Sequence, residues 1–130
     1  MAKPCAKMGD KVVGVDTHVI LVPSPGGPVP TPTPCPFSGT VTSGVSSTVL
    51  IDGQGAAVVG SVADNLPPHI PMGGPFQTPP SNKGTVARGS ESVLIEDKGV
   101  ARAGDTVTCC NDPQDQDTGS VIAVGTVLAG

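Results

Sequence analysis

Residues 98–105, with the sequence KGVARAGD, form the unit around which the rest of the chain is organised, because related units occur twice more. An earlier copy, KPCAKMGD, occupies residues 3–10, and a more divergent copy, QGAAVVGS, occupies residues 54–61. Each copy places two small or compact residues ahead of a glycine, which adopts the positive φ angles that other residues resist. Three such copies in one chain predict three similar turns and an internal pseudo-threefold repeat.

The segments around these units repeat as well, since VLID before the second copy matches VLIE before the third. A histidine follows the glycine of the first and of the second copy by nine residues, at His18 and His69. In the third copy, Cys109 and Cys110 take a slightly earlier position. Imidazole nitrogen and thiolate sulfur are the ligands that zinc prefers. The repeat therefore suggests three arms that close on one metal ion.

Composition favours an all-β protein. The chain has no tryptophan, no tyrosine and two phenylalanines, so its core must be thin, and short valine-rich segments suit narrow β packing. No window shows helical periodicity. The 18 glycines and 15 prolines predict short strands joined by long loops. Disorder is the alternative reading of so much glycine and proline, but the patterned apolar segments and the repeats argue against it.

The first third of the chain is expected to contain two short strands, at residues 11–15 and 18–22, with a turn at residues 16–17. Pro23 ends the second strand, because proline donates no hydrogen bond to a ladder. Residues 23–36 hold seven prolines and are expected to form an extended, polyproline-like loop without regular hydrogen bonds.

One domain is expected over residues 1–130, since a chain of this length fits a single domain. Asp52 and Gly53 are typical of a tight hairpin turn. The expected repeat turns lie near residues 3–10, 54–61 and 98–105, and the two proline-rich loops at residues 23–36 and 71–83.

Several classes of partner are disfavoured by the sequence. A net charge of −4 without a basic stripe argues against nucleic acid, as does the lack of aromatic stacking platforms. No apolar run is long enough to cross a bilayer. The first ten residues are polar, without the apolar core of a secretory signal, so we expect synthesis in the cytoplasm.

The repeat units and the proline-rich runs together resemble the PAAR-repeat family, the small pointed proteins that cap the spike of contractile injection systems. PCAK at residues 4–7 and VAR at residues 100–102 stand where that family carries its Pro-Ala-Ala-Arg signature. The resemblance covers nearly the whole chain. It implies a small conical, all-β fold with pseudo-threefold repeats, stapled by one structural zinc ion per chain.

The partner implied by the resemblance is a trimeric, VgrG-like β-helical spike protein that takes one copy of this chain on its end. Attachment of effector cargo and transient contact with a target membrane are implied as well. The chain would then belong to a particle that is extracellular or delivered into the target cell. Which machine it serves (a type VI secretion system, a phage-tail-like particle or a phage) is left open.

The ligands implied by the resemblance are His18, Cys35, His69 and Cys110. The family binds zinc mainly through histidines with one cysteine, and Cys35 stands where this chain lacks a third histidine. Cys110 is preferred to Cys109 because it opens a CNDP run that looks like the ligand position of the family. Neighbours on a strand also point to opposite faces, so the two should not share one ion.

Three alternatives compete with a structural zinc tip. Disulfides are one interpretation of four cysteines, although cytoplasmic synthesis disfavours them. A zinc-dependent hydrolytic effector is another, but neither a His-Glu-x-x-His motif nor a nucleophile elbow occurs. We therefore expect no enzymatic activity. The third alternative is an adaptor that loads cargo through its proline-rich loops.

Overall fold

The computed structural model describes residues 2–130, which form twelve β-strands and no helix. Within those residues, no helix has the length and hydropathy needed to cross a bilayer. In chain order the strands are β1 (Lys3–Pro4), β2 (Lys11–Val22), β3 (Val29–Ser43), β4 (Leu50–Ile51), β5 (Gln54–Gly55), β6 (Val62–Asn65), β7 (Lys83–Val86), β8 (Leu94–Ile95), β9 (Lys98–Gly99), β10 (Thr106–Cys109), β11 (Gln116–Ile122) and β12 (Leu128–Ala129). The all-β conical fold expected from the sequence is confirmed.

Six strands form a closed antiparallel barrel in the order β10-β11-β2-β3-β6-β7. Side chains alternate between the two faces of a strand, so every second residue of β2 faces the barrel interior. These inward residues include Val12, Asp16, His18 and Ile20, all buried. The apolar residues suit a core, whereas a buried aspartate and histidine side by side require a polar partner. The barrel therefore encloses an apolar layer and a polar layer.

A ring of three backbone hydrogen bonds joins the repeat units. The amide of Ala6 donates to the carbonyl of Ala101, that of Ala101 to Ala57, and that of Ala57 to Ala6, at 2.8–3.0 Å. All three alanines are fully buried, and their small side chains suit a point where three backbones meet. The cycle closes on itself, which confirms the pseudo-threefold repeat predicted from the sequence.

The glycine of each repeat unit is needed for its backbone conformation. Gly9, Gly60 and Gly104 have φ angles of +92°, +97° and +87°, in the left-handed region that favours glycine. Their amides donate to carbonyls of the barrel strands, at Val41, Val86 and Val121 respectively. Each turn is thereby fixed to the barrel.

Three two-stranded ribbons, which we call the base ribbons, continue the repeat below the alanine ring. They are β4–β5, β8–β9 and β1–β12. One side chain from each ribbon (Ile51, Ile95 and Ala129) packs into a second apolar cluster under the barrel. In the first ribbon, Asp52 and Gly53 both have positive φ, at 51° and 81°, which confirms the expected hairpin turn.

The turn predicted at residues 16–17 is wrong, because β2 runs without interruption from Lys11 to Val22. Aspartate followed by threonine is typical of a turn. Here Asp16 is paired with Cys35 across the β2–β3 ladder and is buried in the barrel. Tertiary contacts to the buried carboxylate outweigh the local preference.

The loop predicted over residues 23–36 is also wrong from Val29 onward, where β3 begins. Its prolines at positions 30, 32, 34 and 36 face odd-numbered residues of β2. The amides of those β2 residues point away from β3, since Thr17, Val19 and Leu21 donate to the opposite side. The prolines therefore occupy positions that donate no ladder bond, and proline is tolerated there.

The second predicted loop, at residues 71–83, is irregular up to the start of β7, apart from a bridge between Ile20 and Phe76.

Candidate metal centre

Four side chains from three separate segments converge inside the upper part of the barrel. The ligand atoms of Asp16, His18, His69 and Cys110 all lie within 4.8 Å of one another. Each of these side chains is almost completely buried. Two imidazoles, a thiol and a carboxylate form a donor set that suits zinc.

The strand β2 supplies two of the four residues. Asp16 and His18 are two positions apart, so they point to the same face of the strand. Beneath them lies the apolar layer of the barrel, whose Phe37 ring has its centroid 6.2 Å from that of His69. The cluster is therefore closed on the inner side by apolar packing.

The loop after β6 supplies His69, and a pair of asparagines holds it in place. The side-chain oxygen of Asn82 accepts hydrogen bonds from the His69 amide at 2.8 Å and from Nδ2 of Asn65 at 3.1 Å. Asn65 in turn accepts from the backbone of Ser38 in β3. This chain of bonds connects an irregular, proline-rich loop to the barrel wall and turns His69 inward.

The segment after β10 supplies Cys110, and the two residues that follow it bind the outer side of β2. Oδ1 of Asn111 accepts from the amide of Thr17 at 2.6 Å, and Oδ2 of Asp112 accepts from the amide of Val19 at 2.9 Å. The Asp112 amide donates to the Thr17 carbonyl at 2.8 Å. These contacts replace a neighbouring strand and position Cys110 beside His18.

Two distances within the cluster match those of a tetrahedral zinc site. The Cys110 Sγ atom lies 3.5 Å from Nε2 of His18 and 3.4 Å from Oδ2 of Asp16. Zinc bonds of about 2.0 Å to nitrogen or oxygen and about 2.3 Å to sulfur separate ligand atoms by roughly 3.3–3.6 Å. The distance from His69 Nε2 to Asp16 Oδ2 is shorter, at 2.8 Å, and is a direct hydrogen bond.

The other ring nitrogen of His18 has an orienting neighbour. His18 Nδ1 is buried and, among the described residues, makes no hydrogen bond, yet it lies 3.4 Å from Oδ2 of Asp112. A small movement of either group would let Nδ1–H donate to that carboxylate. A carboxylate behind a histidine is the usual outer partner of a metal-ligating imidazole, and it would leave Nε2 free to bind.

The two adjacent cysteines lie in different environments. Cys109 faces the apolar core, where burial raises the pKa of its thiol to about 12. Burial and then the Asp16 carboxylate raise the pKa of Cys110 to about 11. Both are therefore thiols near neutral pH, and only Cys110 faces the other ligand atoms. The alternation predicted from the sequence explains the difference.

Of the four residues predicted as ligands, the structure brings together His18, His69 and Cys110. Cys35 lies next to the cluster but outside it, with its Sγ 3.6 Å from the carbonyl oxygen of Thr33. Burial and the Asp16 carboxylate raise the pKa of the Cys35 thiol. Sequence reasoning missed Asp16, although its spacing of two residues from His18 was the available signal. The four cysteines are free thiols in the described residues, which gives the disulfide alternative no support.

Comparison with known proteins agrees with the repeat pattern. Residues 77–129 match the family model described as PAAR motif. The matched segment contains the third repeat unit, the base ribbon β8–β9 and Cys110. No curated protein matches the chain. The motif match, the three repeat units and the all-β fold together support a PAAR-repeat protein.

Proposed function

We propose that this chain is the structural tip of a contractile injection system, seated on the end of a trimeric β-helical spike. The PAAR-repeat family is one of spike-tip proteins, and the base ribbons offer a surface that suits such a partner. The tip would close the spike and be carried in front of it into contact with a target membrane. Effector cargo could be attached to the same particle.

The observation that carries this proposal is a ring of exposed leucines at the base. Leu50, Leu94 and Leu128 begin equivalent strands of the three base ribbons, and they are 59%, 57% and 54% exposed. The valine before each leucine is also exposed, at Val49, Val93 and Val127. Apolar side chains that repeat with threefold pseudo-symmetry on one end of a protein mark an interaction surface.

Symmetry indicates what kind of partner fits. A closed homotrimer presents three identical surfaces around its axis. One chain can match all three only if it contains three similar arms, and the ring of alanine hydrogen bonds supplies that arrangement. Covering the end of a β-helix also protects its unpaired strand edges from aggregation.

The metal cluster has a stabilising part in the proposal. The chain is small and its barrel has little aromatic core, so a metal staple would supply stability that packing alone does not. We propose one zinc ion per chain, held by His18, His69 and Cys110. The fourth ligand is supplied by either Asp16 or Cys35, which face each other across the β2–β3 ladder. Four protein ligands would leave no open position for a substrate, so the role we propose is structural and not catalytic.

Charge insertion into the base tests the docking surface. We expect Leu50→Glu, Leu94→Glu and Leu128→Glu each to weaken co-purification with the cognate spike trimer, and the triple variant to abolish it. Val15→Glu is the matched control, because Val15 is 55% exposed on the outer face of β2. If the triple variant binds the trimer as well as the control does, the base is not the docking surface.

A further inference from the structure

Asp16 is a carboxylate buried without an obvious counter-ion. Its side chain is fully shielded from solvent. Among the described residues, its one cationic candidate is His69, and only if that imidazole carries a second proton. A buried carboxylate is costly unless it is paired or coordinates a metal. The position of Asp16 therefore calls for a cation within the cluster.

We infer that Asp16, and not Cys35, is the fourth ligand, so that the site has two imidazole nitrogens, one carboxylate oxygen and one thiolate sulfur. This inference rests on the metal site proposed above. It replaces the ligand set expected from the resemblance, which took Cys35 in place of a third histidine. The consequence is a zinc site with one sulfur ligand where two were expected.

The two oxygens of Asp16 have separate tasks. Oδ2 faces the cluster, 2.8 Å from His69 Nε2 and 3.4 Å from Cys110 Sγ. Oδ1 points the other way and accepts a hydrogen bond from the hydroxyl of Thr118 at 3.1 Å. Outer partners of this kind orient a ligating carboxylate. Asn111 holds Thr118 in turn, by donating to its hydroxyl oxygen at 3.2 Å.

Cys35 lies near the cluster, but its sulfur is not among the four ligand atoms that lie within 4.8 Å of one another. It faces Asp16 across the β2–β3 ladder. The amides of Thr17, Val19 and Leu21 in β2 point away from β3, so the even-numbered residues of β2 form the hydrogen-bonded pairs with β3. Asp16 and Cys35 are therefore a hydrogen-bonded pair, and the Cα atoms of such a pair are about 5.5 Å apart. Its Sγ contacts the Thr33 carbonyl of its own strand. It also lines a shallow apolar groove formed with Pro34, Pro68 and Ile70, on the outer side of His69.

Charge balance separates the two assignments. A divalent cation with the Asp16 carboxylate, the Cys110 thiolate and two neutral imidazoles has no net charge. If the Cys35 thiolate were the fourth ligand, the buried Asp16 carboxylate would remain beside it, and the buried group would carry one uncompensated negative charge. Uncompensated buried charge is strongly unfavourable. The neutral set is the one that this barrel accommodates.

Cobalt(II) substitution tests the assignment, because the near-ultraviolet charge-transfer absorption of cobalt increases with the number of bound thiolates. We expect Cys35→Ala to keep the full intensity of the parent protein and Cys110→Ala to lose it. We expect Asp16→Asn to lower cobalt affinity by more than the about 10–100-fold typical of a lost outer partner. Thr118→Val, which removes the hydroxyl that orients Asp16, should lower cobalt affinity by about 10–100-fold.

Different results would contradict different parts of the account. A charge-transfer intensity that falls by half in Cys35→Ala would overturn the assignment of Asp16, while leaving a metal site in place. A parent protein that is folded and takes up no cobalt would overturn the metal site as a whole. The Cys35→Ala measurement decides the assignment even if Asp16→Asn does not fold.

Discussion

The Nε2 atom of His69 lies 2.8 Å from Oδ2 of Asp16, although the two residues are 53 positions apart in the sequence. Asp16 belongs to the longest hairpin of the barrel, and His69 to an irregular loop with little packing of its own. Their contact ties that loop to the barrel wall. A metal ion between them, with His18 and Cys110, would hold three separate segments together at one point.

Loss of one imidazole should therefore unfold more than the local site. Because metal binding contributes roughly 10 kcal/mol or more in small zinc domains, we expect His69→Ala to unfold the chain at ambient temperature. Ile70→Ala is the control, since Ile70 is 67% exposed next to it. Circular dichroism during heating measures both variants. A His69→Ala protein that melts with the parent would contradict the metal staple.

The adjacent cysteines should respond in opposite ways to the same substitution. We expect Cys110→Ala to abolish zinc binding, because its Sγ faces the other ligand atoms. Cys109→Ala should retain one zinc ion while losing about 1–3 kcal/mol of unfolding free energy, because a small core side chain is removed. Metal analysis and urea denaturation measure the two effects. Zinc lost from Cys109→Ala and kept by Cys110→Ala would reverse the assignment.

The glycine of a repeat unit should not tolerate a side chain. We expect Gly60→Ala to destabilise the protein by about 1–2 kcal/mol, because its φ of +97° strains any residue with a Cβ atom. The position has open space around it, so the cost comes from the backbone and not from a clash. Gly26→Ala is the control, since its φ lies outside the strained range and it has equal space. Equal stability of the two variants would contradict this account of the turn.

Alkaline pH should destabilise the protein through Cys109. Its thiol has a pKa of about 12 in the folded chain and an ordinary value of 9.0. Above pH 9 the unfolded chain releases a proton that the folded chain retains. The free energy of unfolding therefore falls as pH rises from 9 towards 12, by at most about 1.4 kcal/mol per pH unit for this one proton. Urea denaturation at pH 8 and pH 10.5 measures the fall. If the unfolding free energy of Cys109→Ala falls by the same amount between these two pH values, the fall belongs to another titratable group.

A site closed by four protein ligands should have no turnover. We expect panels of peptidase, nuclease, lipase and glycan substrates to show no activity above that of His18→Ala, because no coordination position is left for a substrate. Reproducible activity that disappears in His18→Ala would favour the hydrolytic effector.

The repeat was predictable from the sequence because its structural requirements are local. Three units with a glycine at the same place predict three turns with positive φ, and the structure has them at Gly9, Gly60 and Gly104. The all-β class follows for a similar reason, since valine-rich segments without helical periodicity favour β-strands over helices. Strand alternation predicts that Cys109 and Cys110 face opposite sides, and the structure places Cys109 in the core.

Other features depended on contacts that no local pattern reveals. The local sequence predicts a turn at Asp16, and only the long β2–β3 ladder turns its side chain into the barrel. The prolines of β3 are compatible with a strand because they alternate and because Thr17, Val19 and Leu21 of β2 donate away from them. Both errors came from applying local preferences to a hairpin whose register is set by the whole barrel.

Native mass spectrometry of this chain mixed with its cognate spike tests the central claim most directly, because one spectrum reports protein stoichiometry and bound metal together. The account predicts one copy of this chain on one spike trimer, with one zinc ion retained. Three copies per trimer, a stable homotrimer of this chain alone, or a one-to-three complex without metal would contradict it.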